Sequence, residues 1–124
     1  MGEVDGAVQA TAYLAAACRA AETRRAAPRL RDELAALFES DPAAGRPEHR
    51  ALLDAGGDEV VTRAVLVDDL LAAQVAAGPP PVVVNLGAGF CTRPYRLDLS
   101  GCRRLLELDA AEVLAVKRRL LAGY

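Results

Sequence analysis

Aromatic side chains are scarce in this chain of 124 residues: there is no Trp, and two Phe and three Tyr make up only 4% of a sequence that is 52% hydrophobic. Its core must therefore be built from Ala, Val and Leu, and the length allows one domain at most. Charge of one sign is missing too. Fifteen basic residues against seventeen acidic ones leave a net charge of −2, which offers no footprint for nucleic acid or an anionic membrane surface. No apolar run approaches the ~18 residues of a membrane span, and no basic segment leads into one. The single His49 lacks a neighbour at metal-ligand spacing. The three cysteines, Cys18, Cys91 and Cys102, are odd in number and show no Cys-x-x-Cys. Reduced thiols in a soluble, cytoplasmic protein without a metal site are the expectation.

What the sequence does hold is concentrated between Pro80 and Asp109. Val82 to Leu86 is a short β-branched run between Pro and Gly, the pattern of a parallel strand buried on both faces. Gly87 and Gly89 follow, letting the backbone turn sharply and approach a ligand closely at the carboxyl end of the strand. A second apolar run, Leu105 to Leu108, predicts the next strand and ends in the acids Glu107 and Asp109. An acid about 20 residues beyond the glycines is at the distance that reaches ribose hydroxyls. A lone Gly-x-Gly marks many tight turns. Strand, glycines, second strand and acid together describe half of a nucleoside site.

The identity of the nucleoside turns on position 92. A dinucleotide site calls for a third glycine there, because the pyrophosphate sits on the helix N-terminus and the helix must pack closely on the strand. Here the residue is Thr92, followed by Arg93 and Pro94. A cofactor with a ribose and no phosphate, such as S-adenosylmethionine, makes no such demand, which favours a methyltransferase over a nicotinamide-dependent oxidoreductase.

The segments Asn85-Leu-Gly-Ala-Gly-Phe-Cys-Thr-Arg-Pro-Tyr-Arg-Leu97 and Leu106-Glu-Leu-Asp-Ala-Ala-Glu-Val-Leu-Ala-Val-Lys117 resemble the cofactor-binding motif of the leucine carboxyl methyltransferase family. The resemblance is to its bacterial branch of polyketide or secondary-metabolite O-methyltransferases, which reads Leu-Gly-Ala-Gly-Leu-Asp-Thr-Arg-x-Tyr-Arg-Leu. It implies an α/β, partial Rossmann-like fold that binds S-adenosylmethionine, with Gly87, Gly89 and Asp109 among the cofactor contacts. It extends to Thr11-Ala12, Arg19-Ala20-x-Glu22, Arg25, Pro28 and Asp32-x-x-Ala35, in helices that in the family precede the nucleotide fold and help to cover the site. Glu33 stands where the family usually has Pro. Arg63 and Asp68 match an Arg-x-x-x-x-Asp that the family carries in the helix before the first strand. The resemblance assigns Arg63 to the carboxylate of the cofactor's methionine part, a task suited to a bidentate guanidinium.

Around these motifs the chain reads as helices. Val8 to Arg25 predicts an amphipathic helix, and Asp32 to Glu39 a short second one stopped by Asp41-Pro42. Pro42 to Gly57 mixes Pro, Gly and charge and reads as a surface loop or flap. Asp58 is then the expected cap of a helix running to about Ala77, with Val61, Val65, Leu66 and Val75 toward the sheet and Arg63 and Asp68 on different faces. Pro94 suits the first turn of a short helix, and Asp98 to Gly101 a turn. Asp109-Ala-Ala-Glu112 has capping-box spacing, and Lys117, Arg118 and Arg119 match the dipole at the end of the helix it opens.

These readings divide the chain into an N-terminal helical cap region, 1–57, and the first part of an S-adenosylmethionine-binding fold, 58–124. Two strands leave two unpaired edges, and the family continues through further strands that supply the adenine and acceptor pockets. The expectation is the N-terminal part of a small-molecule carboxyl- or O-methyltransferase, with no catalytic base assigned, or a silent fragment that associates with its own kind or with a complementing chain. Cys91 stands where the family has Asp, whose carboxylate accepts loop amides better than a thiol does. Cys91→Asp should therefore tighten S-adenosylmethionine binding; a calorimetric titration that shows weaker binding would mean that the pocket has adapted to the thiol.

Overall fold

The computed structural model describes the backbone of residues 2–45 and 47–124, and the side chains of residues 9–45 and 56–124. His49, weighed above as a metal ligand, lies outside the described side chains. Helix α1, Gly2–Thr23, is followed by the short α2, Ala35–Glu39, a 3-10 turn, Pro42–Gly45, and the long α3, Pro47–Ala77. Strand β1, Val82–Leu86, the short α4, Arg93–Arg96, strand β2, Arg104–Leu108, and α5, Ala111–Leu120, complete the chain. It is a mixed helix and strand fold around a two-stranded parallel sheet.

Helix α1 is rich in Ala, which costs no side-chain entropy in a helix. It stops at Thr23, two residues before the expected end, where the Thr23 hydroxyl donates to Arg19 O at 2.8 Å and accepts Asp32 N–H at 2.9 Å. The second helix starts at Ala35, three residues later than expected, because the Asp32 carboxylate takes the Ala35 N–H at 3.1 Å from outside the helix.

The expected loop at 42–57 is a correction: the 3-10 turn and the first turns of α3 occupy it. Pro47 opens α3, where proline is tolerated, and the helix runs on through Gly56, Gly57 and Asp58. Asp58 is thus inside a helix, not its cap, and pairs with Arg29 at 2.6 Å. The face of α3 also differs from expectation. Val61 and Ala64 are buried in a cluster with Cys18 of α1 and Leu30, joined by Val65, whereas Leu66 is 58% exposed. A second cluster packs Ala12, Tyr13 and Ala16 of α1 with Phe38, Phe90, Val113 and Leu121. Phe90 stacks on Phe38 with ring centroids 4.4 Å apart and meets Tyr13 edge-on at 4.8 Å. Scarce aromatics are spent at the junction of α1, α2 and the loop after β1.

Strands β1 and β2 pair in parallel, Val82 with Arg104 through Leu86 with Leu108. Burial on both faces was expected; only one face is covered. Val83, Asn85, Leu105 and Glu107 are half-buried, while Val82, Val84, Leu86, Leu106 and Leu108 are between 44% and 75% exposed. The basic end of α5 does more than match a dipole: Lys117 donates to Glu107 at 2.6 Å, and Arg119 pairs with Asp41 beside the 3-10 turn.

Two acids hold these joints. The Arg29 backbone N–H, at 2.7 Å, and the Arg29 and Arg25 guanidiniums lower the Glu22 carboxyl below its ordinary range, against the opposing effect of its burial. Burial raises Asp41, but the Ala43 N–H, Arg119 and Tyr13 outweigh it and the net direction is down. A carboxylate with a depressed folded pKa contributes stability that is present above its unfolded value of about 4 and is lost as pH falls through the folded value. The melting temperature should thus decline as pH is lowered from about 5 toward 2. Glu22→Gln should flatten that decline in thermal melts followed by circular dichroism; an unchanged slope would remove Glu22 from this role.

Candidate functional site

At the carboxyl end of β1 the backbone enters the left-handed region twice, at Gly87 (φ 62°) and Gly89 (φ 48°). A side chain at either position would be strained, by about 1–2 kcal/mol for an L residue. The surroundings of the two differ. A Cβ on Gly87 would meet nothing within 4 Å, so this residue faces open space, whereas one on Gly89 would sit 3.6 Å from Ala12 Cβ of α1. The loop is therefore laid against α1 on one side and left bare on the other.

The first half of the loop is tied to the end of β2. Ala88 N–H donates to Leu108 O at 3.0 Å, and Gly89 N–H donates to Asp109 Oδ2 at 2.6 Å. Asp109 Oδ1 accepts Ala110 N–H at 2.7 Å, and α5 begins without a side-chain cap. The capping-box reading of Asp109 is thus overturned: its carboxylate clamps the glycine loop to the second strand. A carboxylate offers about four acceptor positions. With two of them in use, the half-buried Asp109 keeps capacity for a ligand's hydroxyls.

Arg63 and Asp68 leave different faces of α3, as their spacing requires. Asp68 is buried and takes Arg93 Nε at 2.6 Å and Arg96 Nη1 at 2.8 Å. The Arg63 side chain is 72% exposed and pairs with Glu59 one turn away, at 3.1 Å. An exposed pair of this kind is worth only about 0.3–0.5 kcal/mol, so the guanidinium can exchange Glu59 for another anion at little cost.

Arg63, Gly87, Gly89 and Asp109 all line one cavity of about 730 Å³. Its other walls come from α1 through Thr11, Ala12, Leu14, Ala15 and Arg19, from α3 through Val60, Ala64 and Val67, and from the loop through Phe90, Cys91 and Arg93. The size lies within the range of small-molecule sites, roughly 300–1,000 Å³. Cys91 Sγ is buried and accepts Arg93 Nη1 at 3.4 Å. Cys18 and Cys102 are free thiols as well, and burial pushes the Cys18 thiol up against the lowering influence of Arg19.

Several side chains that matched the family pattern make contacts with one another that no spacing in the sequence foretells. Asp32, fully buried, accepts Arg19 Nε at 2.8 Å and the Thr92 hydroxyl at 2.6 Å on the same oxygen. Arg19 Nη2 continues to Phe90 O at 2.6 Å, and Thr92 Oγ1 accepts Arg96 Nε at 2.9 Å. The partners lie between 4 and 71 residues apart, and only their packing together reveals them. Arg19 also lines the cavity. Among the described residues no cluster of His, Cys, Asp or Glu is arranged to hold a metal ion, and no helix is long and apolar enough to cross a membrane.

Residues 12–124 match the family described as leucine carboxyl methyltransferase. A Frankia alni protein named as a candidate S-adenosyl-L-methionine-dependent methyltransferase is 39% identical over 124 residues, covering 92% of this chain and 43% of the relative. Proteins of the same name from Mycobacteroides abscessus and Mycobacterium marinum are each 33% identical, over 139 and 135 residues. Both alignments take in 98% of this chain, and 44% and 43% of the respective relatives. The chain thus spans less than half the length of the relatives it matches.

Proposed function

Because the chain belongs to the leucine carboxyl methyltransferase family, we propose that it is the cofactor-binding part of an S-adenosylmethionine-dependent methyltransferase with a Rossmann-like core, acting on a carboxyl or hydroxyl oxygen of a small molecule. The observation that supports this most is the convergence of Arg63, Gly87, Gly89 and Asp109, from three separate segments, on one cavity. The cavity's donors and acceptors fit the cofactor. The bare face of Gly87 admits a nucleoside against the backbone, Asp109 has acceptor capacity for ribose hydroxyls, and Arg63 holds the methionine carboxylate. Arg19, which also borders the cavity, adds a second cationic group. When bound, the cofactor supplies an electrophilic sulfonium methyl; the protein's share is to align it and to exclude water.

The same geometry weighs against a nicotinamide dinucleotide. Thr92 has no exposure, and its hydroxyl is shared by Asp32 and Arg96, so the third-glycine position is filled by a structural side chain. A cytoplasmic setting and a role in secondary metabolism belong to the same proposal, supported by free thiols and by the bacterial-branch motif.

Arg63→Ala should weaken S-adenosylmethionine binding by on the order of 1–2 kcal/mol, since it leaves the ligand carboxylate without its partner. Asp109→Asn keeps an acceptor for Gly89 N–H yet removes the charge and one of the two acceptor oxygens, and should weaken binding by at least as much. Isothermal titration in the full-length protein or in the completed assembly measures both; unchanged affinity in the two variants would refute the site assignment.

A second reading, association without catalysis by this chain alone, is favoured by the sheet. The exposed face holds five aliphatic residues, and a cavity of about 360 Å³ opens beside β1, lined by Leu70, Leu71, Val83 and Leu105 among others. An apolar face with open strand edges seeks cover. The isolated chain should elute larger than a monomer on size-exclusion chromatography and transfer no labelled methyl to oxygen acceptors. A compact monomer with turnover would overturn this second reading and leave the first intact.

A further inference from the structure

We propose that Asp32 and Thr92 are positioning residues for the cofactor loop: they touch no ligand, and they set the path of residues 90–92 from behind. The inference rests on the cofactor reading given above. The loop has two halves, joined by the Cys91 N–H to Ala88 O bond at 2.9 Å. Residues 87–89 are held by β2, through Leu108 O and Asp109. The second half leaves the sheet, and its side-chain-mediated anchors include two from elements far off in the chain. Arg19 of α1 donates to Phe90 O at 2.6 Å, and Thr92 donates to Asp32 at 2.6 Å.

Both anchors meet on one atom, Asp32 Oδ2, which accepts Arg19 Nε and the Thr92 hydroxyl together. Asp32 Oδ1 is fixed in turn by Ala35 N–H at 3.1 Å, and Asp32 N–H by the Thr23 hydroxyl. The carboxylate therefore has no freedom to rotate, and it transmits the position of α1 and α2 to the loop. Thr92 passes the constraint on, because its oxygen also accepts Arg96 Nε, and Arg96 reaches Asp68 on α3. Three helices are thereby registered against the loop by one buried chain of hydrogen bonds. Arg19 and Arg93, the two guanidiniums of this hydrogen-bond network that border the cavity, take their orientation from Asp32 and Asp68. Partners of this kind behind a binding group typically matter about 10–100-fold for affinity when removed, as measured at metal sites.

Thr92→Val tests the role with little change of shape, since it removes the hydroxyl and leaves the Arg19–Asp32 pair. Amide hydrogen exchange without ligand should quicken at Phe90, Cys91 and Arg93, with the α1 amides protected as before. Affinity for S-adenosylhomocysteine, followed by isothermal titration of the full-length protein, should fall about tenfold. Thr92→Ser should restore both, and Asp32→Asn, where it folds, should reproduce the valine variant's pattern. Unchanged exchange and affinity in Thr92→Val would overturn the proposal, as would faster exchange spread evenly through α1 and α2, the mark of plain destabilisation. If the unsubstituted full-length protein does not bind S-adenosylhomocysteine, the cofactor reading fails; the exchange measurement, made without ligand, still decides whether these two residues set the loop.

Discussion

A carboxylate withdrawn from water and satisfied on both oxygens, that of Asp32, is the constraint on which the rest of the arrangement depends. Burying an ion costs roughly several kcal/mol unless opposite charge and hydrogen bonds compensate. Here three guanidiniums, of Arg19, Arg93 and Arg96, face two carboxylates, of Asp32 and Asp68. Every described buried side-chain nitrogen and oxygen has a partner. Such a network adds less to stability than its count of contacts implies, because removal of one member leaves a buried charge behind. It does demand a single geometry. In a core with only three aromatic residues, Tyr13, Phe38 and Phe90, and many Ala, where apolar packing alone tolerates sliding, that demand fixes α1, α2, α3 and the loop after β1 in one register.

The cavity inherits its shape from this register. Its floor is the glycine loop, one wall is α1 and another is α3, and the two helices meet through Cys18, Leu30, Val61 and Ala64. The aromatic stack of Phe90 on Phe38 holds the far end of the loop from the apolar side while Arg19 holds its carbonyl from the polar side. Asp109 closes the near end. A ligand entering between Gly87 and Arg63 meets a backbone already in place, which lowers the ordering cost of binding.

Much of this was legible in the sequence where the signal is local. Strand β1 was placed to the residue, because Val82 to Leu86 sits between Pro and Gly. The need for glycine at 87 and 89 was legible too, and both have positive φ. Where local signals conflicted with packing, packing won. Pro47, Gly56 and Gly57 look like breakers, yet Pro47 falls at the first helical residue and the glycines are carried inside a helix anchored on α1. The Asp109-Ala-Ala-Glu112 pattern resembles a capping box, but the carboxylate is drawn to the Gly89 amide. The Asp32 network was invisible for a plainer reason. Arg19 and Phe90, or Asp32 and Thr92, are 71 and 60 residues apart, and no periodicity relates them.

Gly89 lies so close to α1 that a side chain there would meet Ala12 Cβ at 3.6 Å, which bears on modularity. The strand, glycine loop and acid form a contiguous segment of about 30 residues that resembles a portable nucleoside-binding cassette. Here the back of that cassette is a methyl group on the first helix, and its second half hangs from an arginine on the same helix. Moved into another scaffold without α1, the segment would keep its sequence motif and lose the surface on which the motif takes its form. The unit that evolution or engineering can exchange is therefore the helix and the loop together.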